Sequence, residues 1–209
     1  MIRILIADDH AIVRKGLKEI LLEEYPSAHI EEVADAESLI NNAMKGGWDV
    51  IITDMSMPGR SGLEALSQIK QEFPKVPVLI LSMHPEDMYA VRVLKAGASG
   101  YLNKETAPEE LIKAVQRVLQ GRKYISHTIA EKLADNLEQG NNHLPHETLS
   151  DREFDVMKLL VHGKSVTDIA EHLSLSVTTV STYRTRIMAK MNMKSNAELT
   201  RYAFENKIV

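Results

Sequence analysis

The chain has 209 residues, with 25 Lys and Arg against 29 Asp and Glu, no cysteine and 44% hydrophobic residues. At roughly 100–150 residues per domain, that is one large domain or two small ones. Disulfides, thiolate metal sites and cysteine nucleophiles are excluded, and no apolar run approaches the roughly 18–20 residues of a bilayer span. The opening stretch reaches Asp8 and Asp9 where a secretory signal would still be apolar, so a cytosolic protein is expected.

The formal net charge of −4 speaks against nucleic acid as a partner, but it is unevenly spread. Residues 1–124 carry 15 basic and 18 acidic side chains, residues 125–147 one base and four acids, and residues 148–209 nine bases and seven acids. Only the last block is net positive. It has no acid between Glu171 and Glu198, while that stretch holds Arg184, Arg186, Lys190 and Lys194. A local basic patch is what phosphate contact requires; a solvated helix face is the alternative.

The first 120 residues alternate between two periods. Apolar runs at Arg3–Ala7, 50–53 and 78–81 are too short for helices and suit strands buried on both faces of a parallel sheet. His29–Val33 and residues 100–102 are weaker strand candidates. Helix-length segments lie between them. One carries Ile12, Val13, Leu17, Ile20 and Leu21, and the others are Gly62–Glu72, 85–96 and 108–119, the last closed by Gly121. Alternating strand and helix predicts five parallel strands with helices on both faces. A short helix at about 128–137 and a polar linker, Gln139-Gly-Asn-Asn-His-Leu-Pro-His146, follow.

From there the pattern is helical. Ser150-Asp-Arg-Glu153 is a capping box, with Leu149 and Phe154 placed as its hydrophobic staple. That helix carries Phe154, Met157, Leu160 and Val161 on one face and ends at Gly163. Ser165-Val-Thr-Asp168 caps a second, with Val166, Ile169, Ala170 and Leu173 as its stripe. After a break at Ser174–Ser176, a third helix runs from about 177 to 191 and a fourth from about 196 to 205. On the third, Thr178, Ser181, Thr182, Thr185 and Ala189 share a sector, and Val177, Val180, Ile187 and Met191 share the neighbouring one that faces the core. Small polar side chains flanked by Arg184, Arg186 and Lys190 suit a DNA major groove, and the preceding short helix makes a helix-turn-helix.

In the first half, Asp8 and Asp9 follow the first strand, Asp54 the third, Ser82 the fourth and Lys104 the fifth. In a parallel sheet these strand ends share the carboxyl edge, where ligands of open α/β sheets bind. One Asp after a strand is most often a turn or helix cap. Three carboxylates, a hydroxyl and an ammonium together suit Mg²⁺ and a phosphoryl group, with attack by a carboxylate to give an aspartyl phosphate.

Asp8-Asp9, Asp54-Met-Ser-Met-Pro-Gly, Ser82 and Tyr101-Leu-Asn-Lys104 resemble the receiver domain of two-component response regulators, over the whole of residues 1–120. The resemblance implies a flavodoxin-like sheet of order 2-1-3-4-5. It makes Asp54 the acceptor of a phosphoryl group from a sensor histidine kinase. Mg²⁺ would be held by Asp9, Asp54 and the Ser56 backbone carbonyl, with Asp8 acting through water. Lys104 would pair with the phosphate, the Ser82 hydroxyl would move to bind it, and Tyr101 would be the aromatic that turns inward on activation. Ser56 and His84 stand where the family tunes phosphate lifetime. A phosphatase of the haloacid-dehalogenase type would need a second Asp two residues after its nucleophile; that position is Ser56, so no enzyme is expected.

Leu149-Ser-Asp-Arg-Glu-Phe, Gly163-Lys-Ser and Asp168-Ile-Ala-Glu-His-Leu-Ser-Leu-Ser-Val-Thr-Thr-Val-Ser-Thr-Tyr-Arg-Thr-Arg-Ile-Met-Ala-Lys-Met resemble the LuxR-type DNA-binding domain, over about residues 145–209. The two halves together resemble the NarL/FixJ class. Matching positions carry base contact onto Ser181, Thr182 and Thr185, and phosphate contact onto Thr179, Arg184, Arg186 and Lys190. Many members have Lys at 181 and His at 183; Ser181 and Tyr183 instead resemble a subset that includes virulence and carbon-storage regulators.

The expected organisation is a receiver at 1–124, a linker with a short helix at 125–144, and a DNA-binding domain at 145–209 whose helix-turn-helix spans about 165–184. The expected function is transcription regulation: phosphorylation releases the DNA-binding helices and pairs two copies on an inverted or direct repeat, with RNA polymerase as a further partner. The alternative is a receiver driving protein–protein signalling through a non-DNA helical output, against which the acid-free window counts. Zinc at His143 and His146 is set aside because Pro145 and its polar surroundings preorganise no site, and the ten methionines read as core filler.

Overall fold

A computed structural model describes residues 1–57, 61–126, 129–131, 144–206 and 208, with the side chains of 87, 88, 147 and 151 left aside. The chain forms two compact units, Met1–Gln139 and Gly140–Val209. Among the described residues no helix is long and apolar enough to cross a membrane.

In the first unit, strands β1 (Arg3–Ala7), β2 (His29–Val33), β3 (Val50–Asp54), β4 (Val78–Ser82) and β5 (Gly100–Asn103) alternate with helices α1 (Ala11–Glu24), α2 (Ala36–Ala43), α3 (Gly62–Glu72), α4 (Glu86–Lys95) and α5 (Ala107–Leu119). The sheet is parallel throughout, in the order β2-β1-β3-β4-β5. Every residue of β3 and β4 is buried, as their unbroken apolar sequences require of strands covered on both faces. Period-two alternation sends Ile4, Ile6, Val50, Ile52, Leu79 and Leu81 to one face, against Leu17 and Leu21 of α1 and Leu111, Val115 and Val118 of α5. Strand β2, at the edge, carries the charged His-Ile-Glu-Glu-Val and is nowhere fully buried.

Three local results differ from the sequence reading. Helix α2 is absent from it, because eight residues give too little repeat to show a stripe; its cap, Asp35 accepting from the Ser38 N–H at 2.7 Å, was the visible sign. Ile12 belongs to no core stripe and is 82% exposed, since the buried face of α1 runs through Leu17 and Leu21. Strands β3, β4 and β5 each run one residue past their apolar runs, so Asp54 and Ser82 are themselves strand residues.

The second unit starts with a 3₁₀ turn, Pro145–Thr148, followed by α6 (Asp151–Val161), α7 (Val166–His172), α8 (Val177–Met191) and α9 (Asn196–Glu205). Both capping boxes form: Ser150 with Glu153, and Ser165 with Asp168. Leu149 and Phe154 are buried as the staple requires, and Gly163 takes the left-handed conformation at φ 77° that ends α6. Val180, Ile187 and Met191 face the core with Met157, Leu160, Ile169 and Leu199. Val177, the first residue of α8, does not: it is 49% exposed. Pro145 and His146, read as the end of the linker, instead dock onto the domain, with His146 Nδ1 2.8 Å from the Tyr202 hydroxyl. Of the short helix expected at 128–137, residues 129–131 are helical and the rest lies outside the described residues, as does linker segment 139–143.

Gly62 links this fold to its polar edge. Its N–H donates to the Met55 carbonyl at 2.9 Å, and a Cβ there would collide with the Asp54 carbonyl. Gly62→Ala is expected to destabilise the first unit by about 1–3 kcal/mol, since backbone must move to admit the methyl. Urea unfolding followed by circular dichroism checks this, and an unchanged midpoint would contradict it.

Candidate functional site: an acidic pocket and a hydroxyl-rich helix

The carboxyl edge of the sheet gathers the predicted polar groups. Asp8, just beyond β1, is fully buried, and Asp54, closing β3, is 2% exposed. The Lys104 ammonium lies 2.7 Å from Asp8 Oδ2 and 2.9 Å from Asp54 Oδ2. The Lys104 N–H donates to the Ser82 carbonyl at 2.9 Å, which ties β5 to β4 beside the acids. Asp54 Oδ1 accepts the Ser56 N–H at 3.2 Å. Asp9 stands at the exposed mouth of the pocket.

His10 was not singled out from sequence. Its Nδ1 lies 2.8 Å from Asp9 Oδ1 and 3.2 Å from Asp8 Oδ1. Ligand atoms of Asp8, Asp9, His10 and Asp54 all fall within 4.8 Å of one another. Carboxylate oxygens dominate this set, and such hard donors fit Mg²⁺.

Burial pushes the Asp54 carboxyl above its ordinary range; Asp8 adds to the rise, while the Lys104 ammonium and Ser56 N–H oppose it. Burial alone would depress Lys104, but hydrogen bonds and attraction from Asp8 and Asp54 outweigh it and hold the group above its ordinary value. The ammonium therefore stays charged between two carboxylates.

Ser82 is buried, and its Oγ accepts the His84 N–H at 3.0 Å. Tyr101 is 3% exposed, with its hydroxyl donating to the His84 carbonyl at 2.7 Å. The ring is thus turned inward.

In the second unit, Thr178, Ser181, Thr182, Thr185 and Ala189 line one exposed face of α8. The Thr182 and Thr185 hydroxyls donate to the carbonyls of Thr178 and Ser181, at 2.9 and 3.0 Å. Thr179 pairs with the cap residue Ser176, whose Oγ lies 2.7 Å from Thr179 Oγ1. Arg184 donates through Nε to Asn196 Oδ1 at 3.2 Å, and Arg186 is exposed. Lys190 is exposed in part and paired within the domain: its Nζ lies 2.6 Å from Glu153 Oε2, which also accepts the Ser150 N–H at 2.7 Å. Burial would raise the Glu153 carboxyl, but Lys190 and Ser150 outweigh it and hold it below its ordinary value. Neither Glu153 nor Asn196 was visible from sequence as a partner of α8, because each pairing crosses between helices.

Residues 4–116 match the family of response regulator receiver domains, and residues 147–203 match the luxR family of bacterial regulatory proteins. The chain belongs to the response regulators. It joins a receiver domain to a LuxR-type DNA-binding domain in the NarL/FixJ arrangement. It is 36% identical to the response regulator UvrY of Escherichia coli K12 over 207 residues, covering 99% of this chain and 95% of that one. It is 38% identical over 214 residues to the oxygen regulatory protein NreC of Staphylococcus carnosus, covering 99% of both. Among solved structures it resembles RcsB of Salmonella enterica serovar Typhimurium bound to a promoter with the phosphomimetic BeF3-, at 31% identity and TM-score 0.59 over 97% of this chain and 98% of RcsB. A further RcsB–DNA complex matches at 30% identity and TM-score 0.58, over 96% of each chain.

The ion pair of Lys190 makes its removal a test of stability as well as of DNA contact. Lys190→Met should destabilise the second unit by about 1–3 kcal/mol, the cost of stripping one partner from a buried carboxylate. Urea unfolding measures it; an unchanged midpoint with weakened DNA binding would assign the ammonium to DNA alone.

Proposed function

We propose that this response regulator controls transcription through phosphorylation of Asp54 by a sensor histidine kinase. The observation that carries the reading is the Lys104 ammonium held between Asp8 and Asp54, with the Ser82 hydroxyl on the same sheet edge. A carboxylate oxygen of Asp54 attacks the phosphorus of a phosphohistidine; the new O–P bond forms as the P–N bond breaks, and the leaving imidazole takes up a proton. Lys104 swings onto the transferred oxygens, for which its compact charge on a flexible stem suits it. Ser82 adds a hydroxyl donor, and Tyr101 lies inward behind it. Asp9, Asp54 and the Ser56 carbonyl, with Asp8 through water, would hold Mg²⁺, which neutralises charge on the phosphoryl oxygens. Ser56 stands where a phosphatase would carry its second acid, which supports a regulator without turnover of its own.

On this reading residues 1–124 are the receiver, 125–144 the linker and 145–209 the DNA-binding domain. Helix α8 enters the major groove of double-stranded DNA with Ser181, Thr182 and Thr185 at base edges, and Thr179, Arg184, Arg186 and Lys190 serve the phosphates. Phosphorylation pairs two copies on a repeated operator, in the cytoplasm, with RNA polymerase as a further partner. The DNA complexes of RcsB, including one with two RcsB dimers on two DNAs, support duplex binding and pairing.

Acetyl phosphate with Mg²⁺ should give a shifted band on a phosphate-affinity gel for the wild type and none for Asp54→Asn; an equal shift in both would displace the acceptor from Asp54. In a randomised-oligonucleotide selection, Thr185→Ala should change the preferred bases. Arg186→Ala should instead weaken all sites alike and lower the salt slope by about 1. Wild-type binding indifferent to salt would favour a protein-docking output over DNA.

A further inference from the structure

The loop between β4 and α4 joins the two groups assigned to the switch, and His84 stands at its centre. Its N–H donates to Ser82 Oγ at 3.0 Å, and its carbonyl accepts the Tyr101 hydroxyl at 2.7 Å. Both contacts use backbone atoms, so the side chain takes no direct part in either. That side chain is held separately: the imidazole stacks on the Tyr89 ring, with centroids 4.7 Å apart and planes 21° from parallel. Tyr89 is fully buried near the start of α4, alongside the buried Ala90 and Val93.

Pro85 sits at the N-cap of α4 with no capping hydrogen bond from its side chain, as do His10 at α1 and Thr106 at α5, whereas α2 and α3 have one. Met83, on the loop, is 62% exposed. The stack of His84 on Tyr89 is a contact that joins the loop to the buried face of α4. A leucine at 89 could fill a similar core volume but would offer no flat face.

We propose that Tyr89 is a positioning residue for the switch: through its stack on His84 it fixes the loop in the conformation that keeps Ser82 and an inward Tyr101 connected. This rests on the reading of Ser82 and Tyr101 as the switch pair. Without the stack the loop is released, the Tyr101 hydroxyl loses its acceptor, and the ring moves outward. An aromatic pair of this kind shifts such an equilibrium by about threefold to tenfold.

The test uses the full chain with ¹³C-labelled tyrosine rings, the Tyr101 signals assigned through Tyr101→Phe. Broadening by a soluble paramagnetic agent reports how exposed the ring is. Tyr89→Leu should expose Tyr101 and change the rate of labelling by acetyl phosphate at least threefold. Tyr89→Phe keeps the stacked face and should match the wild type in both. His84→Ala removes the other half of the stack without opening the core and should reproduce Tyr89→Leu, which covers a Tyr89→Leu chain that fails to fold. An inward Tyr101 in both loss variants, or a Tyr89→Phe chain that behaves like Tyr89→Leu, overturns the proposal. The ring measurement is made on unphosphorylated protein. A wild type that takes no label would therefore sink the phosphoacceptor reading and leave the ring signal to decide this one.

Discussion

Two buried carboxylates and one ammonium set the terms for the receiver. Asp8 and Asp54 lie where water is excluded, and ionised acids are costly there unless paired. Lys104 reaches both from the end of β5. The partners come from three strands, so the pairing demands that the sheet order bring β1 beside β3 and β3 beside β4, with β5 next. A single cation against two anions leaves a local deficit of positive charge, and Asp9 at the mouth deepens it. That deficit is the electrostatic ground for the Mg²⁺ site proposed there.

The second unit depends on a different device, the closing of helix ends. Four of its helices begin at a serine whose hydroxyl accepts a backbone N–H three residues on. Two of these are full capping boxes, and short helices such as α7 gain most from them, since few internal hydrogen bonds hold seven residues in register. Glu153 serves twice, closing α6 and anchoring α8 through Lys190. The orientation of α8 within its domain is thereby coupled to the residues that begin α6.

Much of this was legible in the sequence. Unbroken apolar runs gave β1, β3 and β4, and the motif Ser-x-x-Glu gave the start of α6, because each signal is local and strong. Helix α2 escaped because two turns carry too little periodicity. Ile12 and Val177 were assigned to core stripes that the packing neighbours do not cover. At the acidic pocket, residue types at strand ends were enough to bring Asp8, Asp54, Ser82 and Lys104 together. His10 on Asp9, Lys190 on Glu153 and Tyr89 on His84 were not foreseen. Each depends on rotamer and distance, which no spacing rule encodes.

The extra residue at the end of β3 and of β4 bears on mechanics. Asp54 stands in register with Leu81, and Ser82 with Asn103. The Met55 N–H reaches the Leu81 carbonyl at 2.8 Å, and the Lys104 N–H reaches that of Ser82 at 2.9 Å. The backbone beneath the pocket is therefore clamped along the end of β4, bonded to β3 on one side and to β5 on the other. A group arriving at Asp54 meets a stiff floor that cannot absorb the disturbance by yielding. On the proposed reading the disturbance passes instead to the residues after Ser82, which lie beyond the ladder, so stiffness in one strand end gives direction to movement in the next loop.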